Sequence, residues 1–265
     1  MITKRLALAL AGTAMLATLA AGPAAAQDDF QWRGTLRPGQ TIEIRGVNGP
    51  IQAVLSNDDA VRVQATRTAR RSDPESVRIE VVSHADGVTI CAVYPTPRGA
   101  RRPNECRPGG GPSSVRDNDV QVQFVVRVPA GVRLAGHTVN GSVRARALRS
   151  DVVARTVNGS VEVETTGIAE AVTVSGSITG RLGRSTLGRD ISFQTVNGNV
   201  TLDLPADLGA EFRGSTVNGS IDSDFPILMS GQVSRRSLRG TIGDGGPELR
   251  VSTVNGSIRL RRVED

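Results

Sequence analysis

Beyond Lys4 the sequence contains no lysine, and in 265 residues it holds only one Trp, one Tyr and five Phe. Histidine occurs twice, at His84 and His137, and cysteine twice, at Cys91 and Cys106. Each shortage excludes something. Two histidines without ligand spacing and two isolated cysteines supply no metal cluster, so neither a metal nor another cofactor is expected. Too few aromatic rings remain to form the stacking platform that single-stranded nucleic acid requires. After the first 26 residues no apolar run approaches the roughly 20 residues of a membrane-spanning helix. Gly-x-Ser-x-Gly is absent, and neither histidine has an evident Ser or Asp partner, so no catalytic residue is assigned.

The N-terminus carries a different signal. Lys4 and Arg5 precede the apolar stretch Leu6 to Leu19, and Ala24-Ala25-Ala26 before Gln27 fits the small-x-small pattern of a secretory cleavage site. Residues 1–26 are therefore expected to be a removed leader, and the protein to be exported to the periplasm or cell surface. The 239 residues that remain hold 30 arginines against 26 acids, a net charge of about +4. In an oxidising compartment Cys91 and Cys106 are expected to pair, closing a loop worth about 3 kcal/mol.

What the sequence has in quantity is glycine, valine and one repeated phrase. Thr138-Val139-Asn140-Gly141-Ser142-Val143 recurs around Asn158-Gly159, Asn197-Gly198, Asn218-Gly219 and Asn255-Gly256. Worn copies stand at Thr173 to Ile178 and at Ser237 to Ile242. Arg45 to Ile51, containing Asn48-Gly49, forms an outlying eighth copy. Counted at the Asn position, the steps from 140 to 255 are 18, 17, 22, 21, 21 and 16 residues. Each copy has short alternating segments on both sides of Asn-Gly, which predicts strands with valine on one face and Arg, Glu and Thr on the other. Asn-Gly also favours the positive φ of a tight turn.

Two all-β architectures fit. A meander of hairpins would use each Asn-Gly as a type I′ turn. A β-solenoid, a single-stranded right-handed β-helix-like stack of about seven short rungs, would place each Asn-Gly at an equivalent corner. The step length and the recurrence of the same residue types on both sides of the corner favour the solenoid, because stacking puts like on like. Residues 27–135 are expected to form an N-terminal β region capping that stack, with a Pro/Gly/Arg-rich insertion at 95–119 as an exposed, mobile excursion. Residues 136–265 form the repeat region.

These Thr-Val-Asn-Gly-Ser units, with the lead-ins Val126 to Leu134 and Leu202 to Phe212 around Pro129-Ala130 and Pro205-Ala206, resemble the bacterial "putative adhesin" β-strand-repeat family. The resemblance covers most of residues 40–262. It implies an exported β-solenoid with no agreed active site, and hence a non-catalytic scaffold or adhesin-like binding protein of the cell envelope. The family's envelope context also admits an accessory or sensor role in envelope-stress signalling, and a carbohydrate-active β-helix enzyme is the third reading. Arginine clusters offer the one chemically distinctive surface. Arg98, Arg101 and Arg102 in the insertion, with Arg235 and Arg236, are candidates for binding an envelope polyanion such as lipopolysaccharide or an acidic glycan, or else an envelope protein.

Overall fold

The computed structural model describes residues 30–110, 113–183, 189–229, 234 and 236–263. The expected leader, residues 1–26, lies outside the described residues. The chain opens with β1 (Phe30–Thr35), and β2 (Thr41–Arg45) turns at Asn48 into β3 (Ile51–Leu55). Next come β4 (Ala60–Thr68), β5 (Arg78–His84) and β6 (Gly87–Val93), which leads through the insertion into β7 (Gln121–Val128). Four strand–corner–strand units then follow in order. They are β8 (Arg133–His137) with β9 (Val143–Leu148), and β10 (Val152–Arg155) with β11 (Val161–Thr165). The other two are β12 (Ala169–Val172) with β13 (Ile178–Leu182), and β14 (Ile191–Gln194) with β15 (Val200–Pro205). The chain ends with β16 (Ala210–Ser215), β17 (Ile221–Ser223), β18 (Ile227–Met229), β19 (Ser237–Ile242), β20 (Glu248–Ser252) and β21 (Ile258–Val263).

The fold is all-β and solenoid-like. The first strand of every unit joins one sheet, in the order β18-β19-β16-β20-β14-β12-β10-β8-β2-β6-β5. The second strand joins the other, in the order β1-β4-β7-β3-β9-β11-β13-β15-β21-β17. From β6 and β7 onward through the units the pairing is parallel, and in register apart from a shift between β9 and β11 where Thr165 meets Leu148. One inward row therefore reads Phe124, Ile51, Val143, Val161, Ile178, Val200, Ile258, Ile221. Branched aliphatics suit this position because each packs on its counterpart above and below across a pleated surface. A single buried cluster runs from Ile42 to Leu260, crossing the boundary near residue 135 that composition suggested.

Antiparallel strands flank the stack at both ends: β4 on β7 and β5 on β6 at one, β19 on β16 and β18 on β19 at the other. The scarce aromatics gather there. Phe30, Trp32, Tyr94 and Phe124 belong to the first layers and Phe212 and Phe225 to the last, leaving Phe193 alone in the middle. The interior layers are filled by aliphatics except where Gly180 leaves space for the Phe193 ring, while the ends need larger side chains to cover the last exposed layer.

One expectation about the repeats is corrected. The copy at Ser237–Ile242 is not a corner: Arg239 lies in the straight strand β19, opposite Arg213 of β16. A guanidinium cannot take the place of an amide that both donates and accepts in a ladder. The outlying copy at Asn48 does join the corner ladder. Nor do the copies stack in chain order. The corner bridges run Asn48, Asn140, Asn158, Ser175, Asn197, Asn255, Asn218, so the last unit of the chain is seated between β14–β15 and β16–β17.

Candidate functional site

At the corners the expected facing is reversed. The threonine before each Asn is buried: Thr138, Thr156, Thr173, Thr195, Thr253 and Thr216 are all at or below 5 % exposure. Each Oγ1 donates to the carbonyl of the corner glycine one layer away, at 2.8–3.0 Å. The valine that follows faces outward. Val157, Val174, Val196, Val254 and Val217 are 38–54 % exposed. Alternation along the strand puts one residue of the Thr-Val pair inside, and the carbonyl waiting there selects the hydroxyl.

The asparagines form an amide ladder, in which Nδ2 of Asn140 donates to Oδ1 of Asn48, Asn158 to Asn140, Asn255 to Asn197 and Asn218 to Asn255, at 2.7–2.9 Å. Ser175 interrupts it. Positive φ is not what these corners share, since no corner Asn has it. The glycines are set by close approach instead. A Cβ added at Gly159 would stand 2.1 Å from the carbonyl oxygen of Gly141, and Gly141, Gly198, Gly256 and Gly219 meet their neighbours in the same way at 2.0–2.1 Å.

Where β6 and β7 should have been joined by such a corner, the insertion stands. Its neck is closed by Tyr94, whose hydroxyl donates to the Val120 carbonyl at 2.8 Å; burial pushes that phenol up to about 12. Cys91 on β6 and Cys106 form the expected disulfide, with Cα atoms 5.5 Å apart. Asn104 organises the rest, donating to the carbonyls of Tyr94 and Ser114 and accepting from the Ser114 amide. The excursion is thus tied down, and it overhangs the outer face of β2, β8 and β10.

Between the overhang and those strands lies a cleft of about 830 Å³. Arg101, Arg102, Arg107 and Asn104 line it from the insertion, and Arg45, His137 and Arg155 from the strands, with Val47, Val139 and Val157 on its floor. Arg45 donates to the Gly110 carbonyl and pairs with Glu43 at 2.6 Å; Arg107 pairs with Glu105, and Arg155 with Glu170. Arg101 and Arg102 line the cleft and have no partner among the described residues, so their guanidinium donors are unmet.

Both histidines converge on Glu43. Thr89 donates to its carboxylate at 2.8 Å, His84 lies 3.2 Å from that hydroxyl, and His137 Nε2 is 3.8 Å from Glu43. Burial draws the Glu43 carboxyl upward, but hydrogen bonds from the Gly109 amide, Thr89 and Arg45 outweigh it and leave the group below its ordinary value. Burial, and then the charge of Arg45, push His137 down to about 4. His137 is therefore neutral at pH 7, and its approach to Glu43 is not an ion pair.

The predicted arginines do not form one surface. Arg101 and Arg102 line the cleft, and Arg98 is exposed on the insertion outside it. Arg236 is exposed at the far end of the stack beside β19, and Arg235 lies outside the described residues. Many others are compensated by acids on the same or a neighbouring strand: Arg144 and Arg146 by Glu162, Arg181 and Arg261 by Asp203, Arg213 and Arg250 by Glu248. Sequence reasoning missed Glu43, Arg45, His137 and Arg155. The only signal for Arg45 was its place at the head of the Asn48 copy. Among the described residues no helix is long and apolar enough to cross a membrane.

A family profile described as Toastrack DUF4097 matches residues 119–261. Among solved structures, a "putative cell adhesion protein" from Clostridium sporogenes superposes with a TM-score of 0.51 at 8 % identity, over 88 % of this chain and 99 % of that one. A "putative adhesin" from Bacteroides fragilis gives 0.41 at 12 % identity, over 88 % and 96 %. At such identities the first likeness speaks for the fold alone. No curated protein matches the sequence.

Proposed function

The chain belongs to the Toastrack DUF4097 family, and from that premise we propose that it is a non-catalytic, adhesin-like binding scaffold of the cell envelope whose cleft takes an anionic group. The proposed scaffold is the stack of about seven corner-bearing rungs ended by antiparallel strands, exported to the periplasm or cell surface. One observation carries the reading: Arg101 and Arg102 stand unpaired over a cleft that Arg45, Arg107 and Arg155 also line, whereas those three arginines are each paired with an acid. Guanidinium forks bind phosphate and carboxylate in two-point fashion, so phosphorylated or carboxylated envelope glycans, lipopolysaccharide included, are the matching ligands. The carboxylates nearby support a non-catalytic role: Glu105, which lines the cleft, is paired with Arg107, and Glu43 is already occupied by Thr89, Gly109 and Arg45.

The test is retention on immobilised lipopolysaccharide. Wild type should be retained at low salt and released by about 0.5 M, where the screening length has shrunk to a few ångströms. The Arg101→Ala/Arg102→Ala double variant should lose at least tenfold in affinity with its thermal midpoint unchanged. Equal retention of wild type and the double variant would refute the cleft as the binding site.

A further inference from the structure

The outward valines of the corners form a continuous row. Each valine carbonyl accepts from the next layer: Val47 from the Val139 amide, Val139 from Val157, Val157 from Val174, Val174 from Asn197, Val196 from Val254, and Val254 from Asn218. At the usual spacing of about 4.8 Å between strands, the row from Val139 to Val217 runs roughly 24 Å.

One end of the row is covered and the other is not. Val47 is 7 % exposed, within the cleft beside the insertion, and Val139 and Val157 form the cleft floor. Val174, Val196, Val254 and Val217 continue in the open at 38–54 % exposure. The residues alongside them are uncharged. On one side lie Val172, Gln194, Ser252 and Ser215, and on the other Ser175, Asn197, Asn255 and Asn218. In a chain that is 22 % charged, this is a neutral, apolar-centred lane leading out of a cationic cleft.

The lane is one side chain wide. Its area falls far short of the ~800 Å² per partner that a stable protein interface buries, so neither a second copy nor a globular partner fits it. A slender ligand does. We propose that the cleft and the valine row together form one site for an anionic amphiphile: a phosphate or carboxylate head held by Arg101 and Arg102, with an acyl tail laid along Val157, Val174 and Val196. This rests on the anion-binding reading of the cleft and adds to it the chemistry of the remainder of the ligand.

The experiment compares three probes by calorimetry on the full chain, each below its micellar concentration: dodecyl phosphate, inorganic phosphate and dodecyl maltoside. Dodecyl phosphate should bind at least tenfold more tightly than either of the others. Replacing Val174 and Val196 together by Thr, both outside the cleft, keeps β-branched shape at exposed positions. That variant should lose the tenfold gain for dodecyl phosphate while its inorganic phosphate affinity stays the same. If dodecyl phosphate binds no better than inorganic phosphate, or if the threonine variant keeps the gain, the row is not part of the site, although the cleft still takes anions. Equal binding of the maltoside would overturn the role of the anionic head, and failure of every phosphate probe would remove the anion cleft itself.

Discussion

One missing carbon atom decides the corner. The glycine carbonyls approach the next layer's glycine so closely that any side chain would collide with backbone, which cannot swing aside. We therefore expect Gly159→Ala to cost about 3 kcal/mol or more, although alanine is only one methyl larger. Val157→Thr, two residues earlier on the open face, should lie within about 0.5 kcal/mol of wild type. Urea midpoints measured side by side check this, and a mild Gly159→Ala would show that the layers have slack. His137 supplies a second test. It stays neutral in the folded chain down to about pH 4, whereas an unfolded histidine takes its proton near 6.5. The stability it carries is complete above about pH 6.5 and declines as pH falls toward 4, by up to about 1.4 kcal/mol per unit inside that window. His137→Gln should flatten the pH dependence of the urea midpoint there, and an unchanged slope would count against the burial argument.

At the scale of elements, the local part of the fold was legible and the non-local part was not. The recurrence of Thr-Val-Asn-Gly announces a stack, because a ladder demands the same residue at the same place in every layer. The direction of Thr and Val at the corner was misjudged, since plain alternation ranks valine as the inner residue and does not foresee a glycine carbonyl needing a donor. In the cleft, Arg101, Arg102 and Arg107 could be found as a run of like residues. Glu43, Arg45, His137 and Arg155 could not, because stacking alone brings positions 45, 137 and 155 side by side. The insertion is the element on which the site depends, and its disulfide can be cut. A Cys91→Ser/Cys106→Ser variant should lose about 3 kcal/mol of stability and bind inorganic phosphate more weakly, as one wall of the cleft is released. Undiminished phosphate affinity would mean that Asn104 and the Tyr94 neck hold the wall unaided.

For the molecule as a whole, the order of the layers matters more than their number. Nothing within a copy names its neighbours, since Asn197, Asn218 and Asn255 sit in nearly identical phrases; their order in space could not be read from them. A chain ending at Gly246 would lose β20 and β21, an inner layer, and with it the shared contacts of β14–β15 and β16–β17. Limited proteolysis should then cut within residues 206–246 at least tenfold faster than in the intact protein. A shortened chain that protects this segment equally would show that the gap closes by direct pairing.

Stacked repeat proteins lengthen by copying a unit and adding it where the pile is open. Here the final unit is wedged inside like a keystone, so a copy appended at the C-terminus would find no vacant seat. New units fit only between residues 133 and 205, where consecutive turns of the chain already lie one upon the next. Evolution or design can extend this protein from its waist but not from its tail.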